Sequence, residues 1–144
     1  MKARLMLAAS LMAMCSFAMA DEARPFKEGP VTVVTYVKVK DGQFENYMKW
    51  LDTNFKPLNE ELMKAKVSLG YKVYASRARD PNDPDLILSV TYANMGALDN
   101  LNERAEPIAE KFQGDRAKRA EASAARGSMR QILGSKVIRE LVLK

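Results

Sequence analysis

The chain has no histidine, and its single cysteine, Cys15, lies among the first twenty residues. Everything after Ala20 therefore has neither imidazole nor thiol. That excludes disulfides from this part of the chain, together with nucleophilic triads and zinc sites that need either group. Long hydrophobic runs are also scarce. Leu5–Phe17 is uncharged and mostly apolar, but it is short for a bilayer span, and no second run comes after it. Lys2 and Arg4 precede it, and Ala18-Met19-Ala20 has the A-x-A form of a signal-peptidase site. Residues 1–20 thus read as a cleaved secretory signal, which implies a periplasmic or secreted bacterial protein. The alternatives are an uncleaved anchor or a lipoprotein acylated at Cys15, although Met14 stands where lipid attachment wants a small residue. No transmembrane segment is expected in the mature chain.

Charge of one sign is not abundant either. The chain has 23 basic and 18 acidic residues; Lys2 and Arg4 leave with the signal, so 21 basic and 18 acidic remain, a net +3. An exported protein so mildly basic is not expected to bind nucleic acid. What remains suits one domain with one core.

Residues 21–30 are polar, with Pro25, Gly29 and Pro30, and are expected to form an extended lead-in. Val31–Val39 is the first clear strand. Alternation places Val31, Val33, Thr35, Val37 and Val39 on one face, and Thr32, Val34, Tyr36 and Lys38 on the other. Asp41 is a reasonable N-cap for a helix beginning just after it. In Gln43–Lys66, Phe44, Met48, Leu51, Phe55, Leu58 and Leu62 recur at helical steps. Pro57 predicts a kink or break near Asn54–Lys56. Leu69–Ala75 and Leu86–Tyr92 alternate as strands around the Asp80–Asp85 turn, a hairpin with a long loop. Asn94 can cap a second helix carrying Leu98, Leu101, Ala105, Ile108 and Phe112, with Pro107 interrupting it. Arg116–Leu133 has a third helical pattern, weakened by Gly127, and Lys136–Leu143 is the last strand. The order β-α-β-β-α-(α)-β predicts an α+β, ferredoxin-like antiparallel sheet, residues 31–144 as a single domain, with helices on one face.

The other face would then show Val34, Tyr36, Tyr74, Ile87, Ile138 and Val142. Monomers seldom tolerate so large an apolar patch, so a homodimer through the sheet face is expected. The strand Val31–Val39 followed by Gly42-x-Phe44-x-x-Tyr47-x-x-Trp50, the hairpin, and the closing Arg139-Glu140-Leu141-Val142 resemble the dimeric α+β barrel superfamily. The resemblance lies near its NIPSNAP-like, stress-responsive and antibiotic-biosynthesis-monooxygenase-type groups, and also extends to exported bacterial proteins. It implies a two-sheet barrel at the dimer interface, often with a pocket between sheet and helices, and no single reaction.

Four constellations bear on function. Tyr36, Tyr74, Lys72, Ser89, Thr91 and Glu140 share the second faces of their strands. They form either a small-molecule pocket or an interface satisfied by its own hydrogen bonds. Trp50, to one side of the helical stripe, is a further ligand-binding candidate or a packing residue at the helix edge. Asp80–Asp85 fails the calcium-loop spacing and reads as a solvated turn, so no metal is expected. Arg116, Arg119, Arg126 and Arg130 fall on one side of the third helical pattern as a solvated face or a weak anion-attracting stripe. No cofactor is expected, and no catalytic residue can be named. Without histidine, proton transfer near neutral pH would fall to a shifted Glu140, Lys72 or tyrosine. The reading is a non-enzymatic binding or structural role in the envelope, with a small apolar ligand between the sheets. The alternative is a cofactor-independent monooxygenase or isomerase using the same pocket.

Overall fold

The structure, a computed structural model, describes residues 24–144. The signal reading of residues 1–20 lies outside the described residues. Its elements run β1 (Phe26–Val39), α1 (Phe44–Trp50), a π-helical turn (Leu51–Phe55), α2 (Lys56–Lys64), β2 (Gly70–Ala75) and β3 (Leu86–Tyr92). A 3-10 turn (Met95–Leu98), α3 (Leu101–Gln113), α4 (Arg116–Ala125), a second 3-10 turn (Arg126–Ser128) and β4 (Arg130–Leu143) complete the order. The strands form one antiparallel sheet in the order β2-β3-β1-β4.

Paired residues lie on the same side of a sheet, so the register assigns the faces. Val37 pairs with Leu86, and Leu86 with Ala75. Val37, Leu86 and Leu88 meet Tyr47 and Leu51 in the core, and Val39, Met48, Trp50, Phe55, Val73 and Met129 pack around them. The odd-numbered side of Val31–Val39 is therefore the helix side, as alternation predicts. Val31 and Val37 are fully buried. Val33 and Thr35 are only half-buried, and Val137 beside them is 52% exposed. α3 packs against α2, so the helix layer thins towards β4.

Several boundaries differ from the sequence reading, each for a local reason. The expected lead-in joins β1 from Phe26 onward. Phe26, Lys27 and Glu28 pair with Leu143, Val142 and Leu141, and Glu28 forms an ion pair with Arg139 at 2.6 Å. A register shift between Glu28 and Val31 takes up Pro30, which has no amide hydrogen to donate to the ladder. The third helical pattern stops at Ala125 rather than reaching Leu133. Beyond Gly127, the chain pairs with β1 from Arg130 onward, and sheet hydrogen bonds replace helical ones.

Asp41 does not cap the first helix. Gly42 turns in the left-handed region at φ 72°, the Gln43 amide closes back on the Lys40 carbonyl at 3.0 Å, and the helix starts at Phe44. The break expected near Asn54–Lys56 takes the form of the π-helical turn Leu51–Phe55, after which Pro57 sits near the start of α2. Pro107 lies inside α3, which continues through it on a mostly exposed helix. Asn94 caps the 3-10 turn instead of a long helix, accepting from the Ala97 amide at 3.0 Å.

The long hairpin loop is held by its own carboxylates. Asp83 accepts from the Arg79 and Asp80 amides at 2.9 and 3.1 Å, which lowers its carboxyl below the usual range. Asp85 reaches back to β1, accepting from the Val39 amide at 2.8 Å and from Lys38 at 3.1 Å. The turn residues thus spend their oxygens on backbone and lysine donors, the work expected of a solvated turn.

Candidate functional site

The even-numbered side of β1 faces away from the helices. Thr32, Val34 and Tyr36 pair there with Thr91, Ser89 and Ile87, and on the other side with Ile138, Lys136 and Gly134. Lys72 and Tyr74 extend the face across β2 through their pairing with Ser89 and Ile87. A depression of about 260 Å³ opens at its centre, lined by Thr32, Val34, Lys72, Tyr74, Ile87, Ser89, Thr91 and Ile138. Of the residues that sequence placed in a pocket, the fold brings Tyr74, Lys72, Ser89 and Thr91 together. Tyr36 lies on the same face outside the lining, with the Lys136 ammonium 5.8 Å from its ring centre. Glu140 is at the far end of the face, exposed and laid against Gly29. Trp50 does not belong to this group, because α1 carries it on the opposite side of the sheet.

Thr32, Thr91 and Ser89 spend their hydroxyls within the depression, whereas Lys72 lies exposed in its lining. The Thr32 and Thr91 hydroxyls are 3.0 Å apart and hydrogen-bonded, and Ser89 donates to the Lys72 carbonyl at 3.4 Å. Outward the face shows Ile138 at 51% exposure, Tyr74 at 47% and Val142 at 45%, together with the exposed Lys72, Lys136 and Glu140. Such a surface suits contact with another apolar surface or a small apolar molecule. No hydroxyl of this face, among the described residues, is hydrogen-bonded to a carboxylate. Among the described residues, no group of three or more His, Cys, Asp or Glu side chains is arranged to hold a metal ion, and no helix is long and apolar enough to cross a membrane.

A second constellation lies on the helix side. Tyr47 is fully buried and stacks on Trp50, with ring centres 5.9 Å apart and planes inclined by 2°. The Arg126 guanidinium lies 4.3 Å from the Trp50 ring centre, and that of Arg130 lies 5.7 Å from Tyr47. The basic stripe read as one helix face is thus divided among α4, a 3-10 turn and β4. Arg119 is used internally, ion-paired with Glu106 and donating to the Gly114 carbonyl at 2.7 Å. Sequence reasoning quoted Tyr47 and Trp50 in one motif but named only Trp50 as a site candidate, and it took the arginines separately. The available signal was the three-residue spacing of Tyr47 and Trp50, which stacks rings along one helix face. That Arg126 and Arg130 come to those rings depends on where the last helix ends.

Burial raises the Tyr47 hydroxyl above its ordinary value, opposed in part by the charges of Arg130 and Arg126, and it raises Tyr92 likewise. The unfolded chain therefore gives up these protons first. The corresponding stability is complete below about pH 10 and falls as pH rises beyond it. Urea midpoints are expected to decline above that pH, and to decline less in Tyr47→Phe. Equal alkaline losses in the two proteins would contradict this.

The helix-covered antiparallel sheet in the order β2-β3-β1-β4 defines an α+β protein of ferredoxin-like fold. Solved structures agree with that class. HapK from Hahella chejuensis superposes with a TM-score of 0.51 at 12% identity, covering 76% of this chain and 91% of its own. A Shewanella oneidensis protein gives 0.51 at 11% identity, covering 81% and 96%. A dimeric ferredoxin-like protein from an uncultured marine organism gives 0.51 at 12%, covering 82% and 98%. At these identities the likeness is one of fold. No protein-family model and no curated protein matches the sequence.

Proposed function

We propose that this protein is exported, pairs with a second copy of itself through the helix-free sheet face, and holds a small apolar molecule between the two sheets without chemical turnover. The observation that carries this reading is the open face itself. It displays Ile138, Tyr74 and Val142, the first two lining a depression whose Thr32, Thr91 and Ser89 hydroxyls are already satisfied. Burying that face against its own copy removes the exposed apolar area and encloses the depression from both sides. A solved structure of like fold is described as dimeric, which supports the pairing. Export is supported by the Lys2 and Arg4 start, the apolar run and the A-x-A site.

Native mass spectrometry of the full-length gene product, purified from a bacterial envelope, tests all three parts together. The expected species is twice the mass of a chain that begins at Asp21, with a further small mass released on denaturation. A monomer at micromolar concentration would remove the pairing. A retained leader would remove export, and consumption of oxygen with a phenolic substrate would favour the enzymatic alternative.

A further inference from the structure

Arg126 and Arg130 stand close together on the helix side, and neither has a carboxylate partner among the described residues. The Nε of each is buried without an acceptor. Both side chains are partly exposed, so what is left uncompensated is the buried Nε donor of each, and a buried donor without an acceptor is costly. Burial and the like charge of Arg130 both pull Arg126 below its ordinary value, as expected of guanidiniums crowded together without a counter-ion. This contrasts with Arg119 a few residues away, which has Glu106.

A cleft of about 250 Å³ opens beside this pair, lined by Trp50, Asn54, Phe112, Gln113, Arg119, Ala122 and Arg126. Its walls are of two kinds. Trp50 and the exposed Phe112 are aromatic. Asn54 donates its amide hydrogens to the Trp50 carbonyl at 3.3 Å and the Thr53 hydroxyl at 2.9 Å, which leaves its Oδ1 as an acceptor. Ordinary ligand pockets hold about 300–1,000 Å³, so this cleft suits a molecule of one ring rather than a large cofactor.

We propose that this cleft is a binding site for a small aromatic carboxylate, its carboxyl group on the Arg126 guanidinium and its ring against Trp50 and Phe112. A guanidinium matches a carboxylate through two parallel hydrogen bonds, so such a ligand would supply Arg126 with the counter-charge it lacks. The aromatic walls select a flat ring over a bare inorganic anion. The site lies across the sheet from the apolar face, so its occupancy is independent of the pairing and ligand proposed there.

Trp50 is the sole tryptophan, so its emission reports on this cleft directly. Titrating the purified protein with benzoate is expected to change that emission saturably. Benzamide, which keeps the ring without the charge, and acetate, which keeps the charge without the ring, should each bind at least about 10-fold more weakly, a difference of about 1.4 kcal/mol. Arg126→Met should weaken benzoate binding by at least the same factor. Gln113→Glu keeps the guanidinium but places a carboxylate in the cleft wall, and it should weaken binding likewise. Circular dichroism confirms that each variant is folded. If Arg126→Met fails to fold, Gln113→Glu and the three-ligand comparison on the unaltered protein decide. A linear, unsaturating response to benzoate overturns the proposal. So does equal affinity for benzamide, or wild-type affinity in the folded variants.

Discussion

Leu86→Ala is expected to destabilise the protein by about 3 kcal/mol, within the range for truncating a large aliphatic side chain in a core. Leu86 is 1% exposed and sits in the middle of the sheet, paired with Val37 on one side and Ala75 on the other. Above it are Tyr47 and Leu51 from the first helical segment, with Leu88 alongside. Strand backbones fix the floor of that space, and stacking with Trp50 restrains the Tyr47 ring in its roof. The gap therefore cannot close, and the lost contacts are not recovered. For a domain of this size, the melting temperature should drop by roughly 10 °C. The denaturant slope should stay unchanged, because the surface exposed on unfolding hardly alters. Leu143→Ala is the matched control. It removes the same atoms from a side chain that is 80% exposed and should cost no more than about 0.5 kcal/mol. Equal losses at the two positions would mean that the core is not where the structure places it.

Ile138→Asp is expected to turn the proposed homodimer into a monomer without unfolding the chain. Ile138 is half-exposed on the helix-free face, opposite Thr32. In a symmetric pair, each copy would bring one carboxylate into the apolar contact, so the penalty is incurred twice. Burying an unpaired carboxylate costs several kcal/mol, and each 1.4 kcal/mol is tenfold in affinity, so the dissociation constant should rise by about 1,000-fold or more. In the isolated chain the same carboxylate stays hydrated, and the stability of the monomer should move little. Val137→Asp makes the comparison sharp. Val137 is the adjacent residue on the same strand, equally exposed, and its side chain is on the helix side. Sedimentation equilibrium should find Val137→Asp dimeric and Ile138→Asp monomeric. If both remain dimeric, or the unaltered protein is monomeric, the sheet-to-sheet pairing is wrong.

The sheet was legible because period-two alternation is a local property of a strand. Val31 and Val37 could be assigned to the helix side, and Val34 and Tyr36 to the other, without knowing any partner strand. The order of elements then left few topologies open, because antiparallel connections and helix coverage restrict one another. Boundaries were less legible. Gly127 and Pro30 each weaken an element locally, but whether the chain ends a helix or joins a strand depends on the partner available. Arg130–Ile132 lies opposite Val39–Val37, and that pairing is a long-range contact no local pattern encodes. The pocket residues were partly legible for the same reasons. Tyr36, Tyr74, Lys72, Ser89, Thr91 and Glu140 were grouped by face, but which of them line one depression depends on strand register, and Trp50 takes the helix-edge packing place that was one of its two readings.

By itself the sequence determined the absence of thiol and imidazole chemistry after Ala20, the α+β order, and which strand positions share a face. Those rest on residue identity and on the short periods of helix and strand. Only the tertiary structure decided that α3 packs on α2 and leaves Val137 exposed, and that an early strand start is fastened by Glu28 and Arg139. It alone brought Arg126 and Arg130 to the Tyr47–Trp50 stack. Each of these depends on side chains far apart in the chain meeting in space. Their energies come from burial and charge, which no single segment holds.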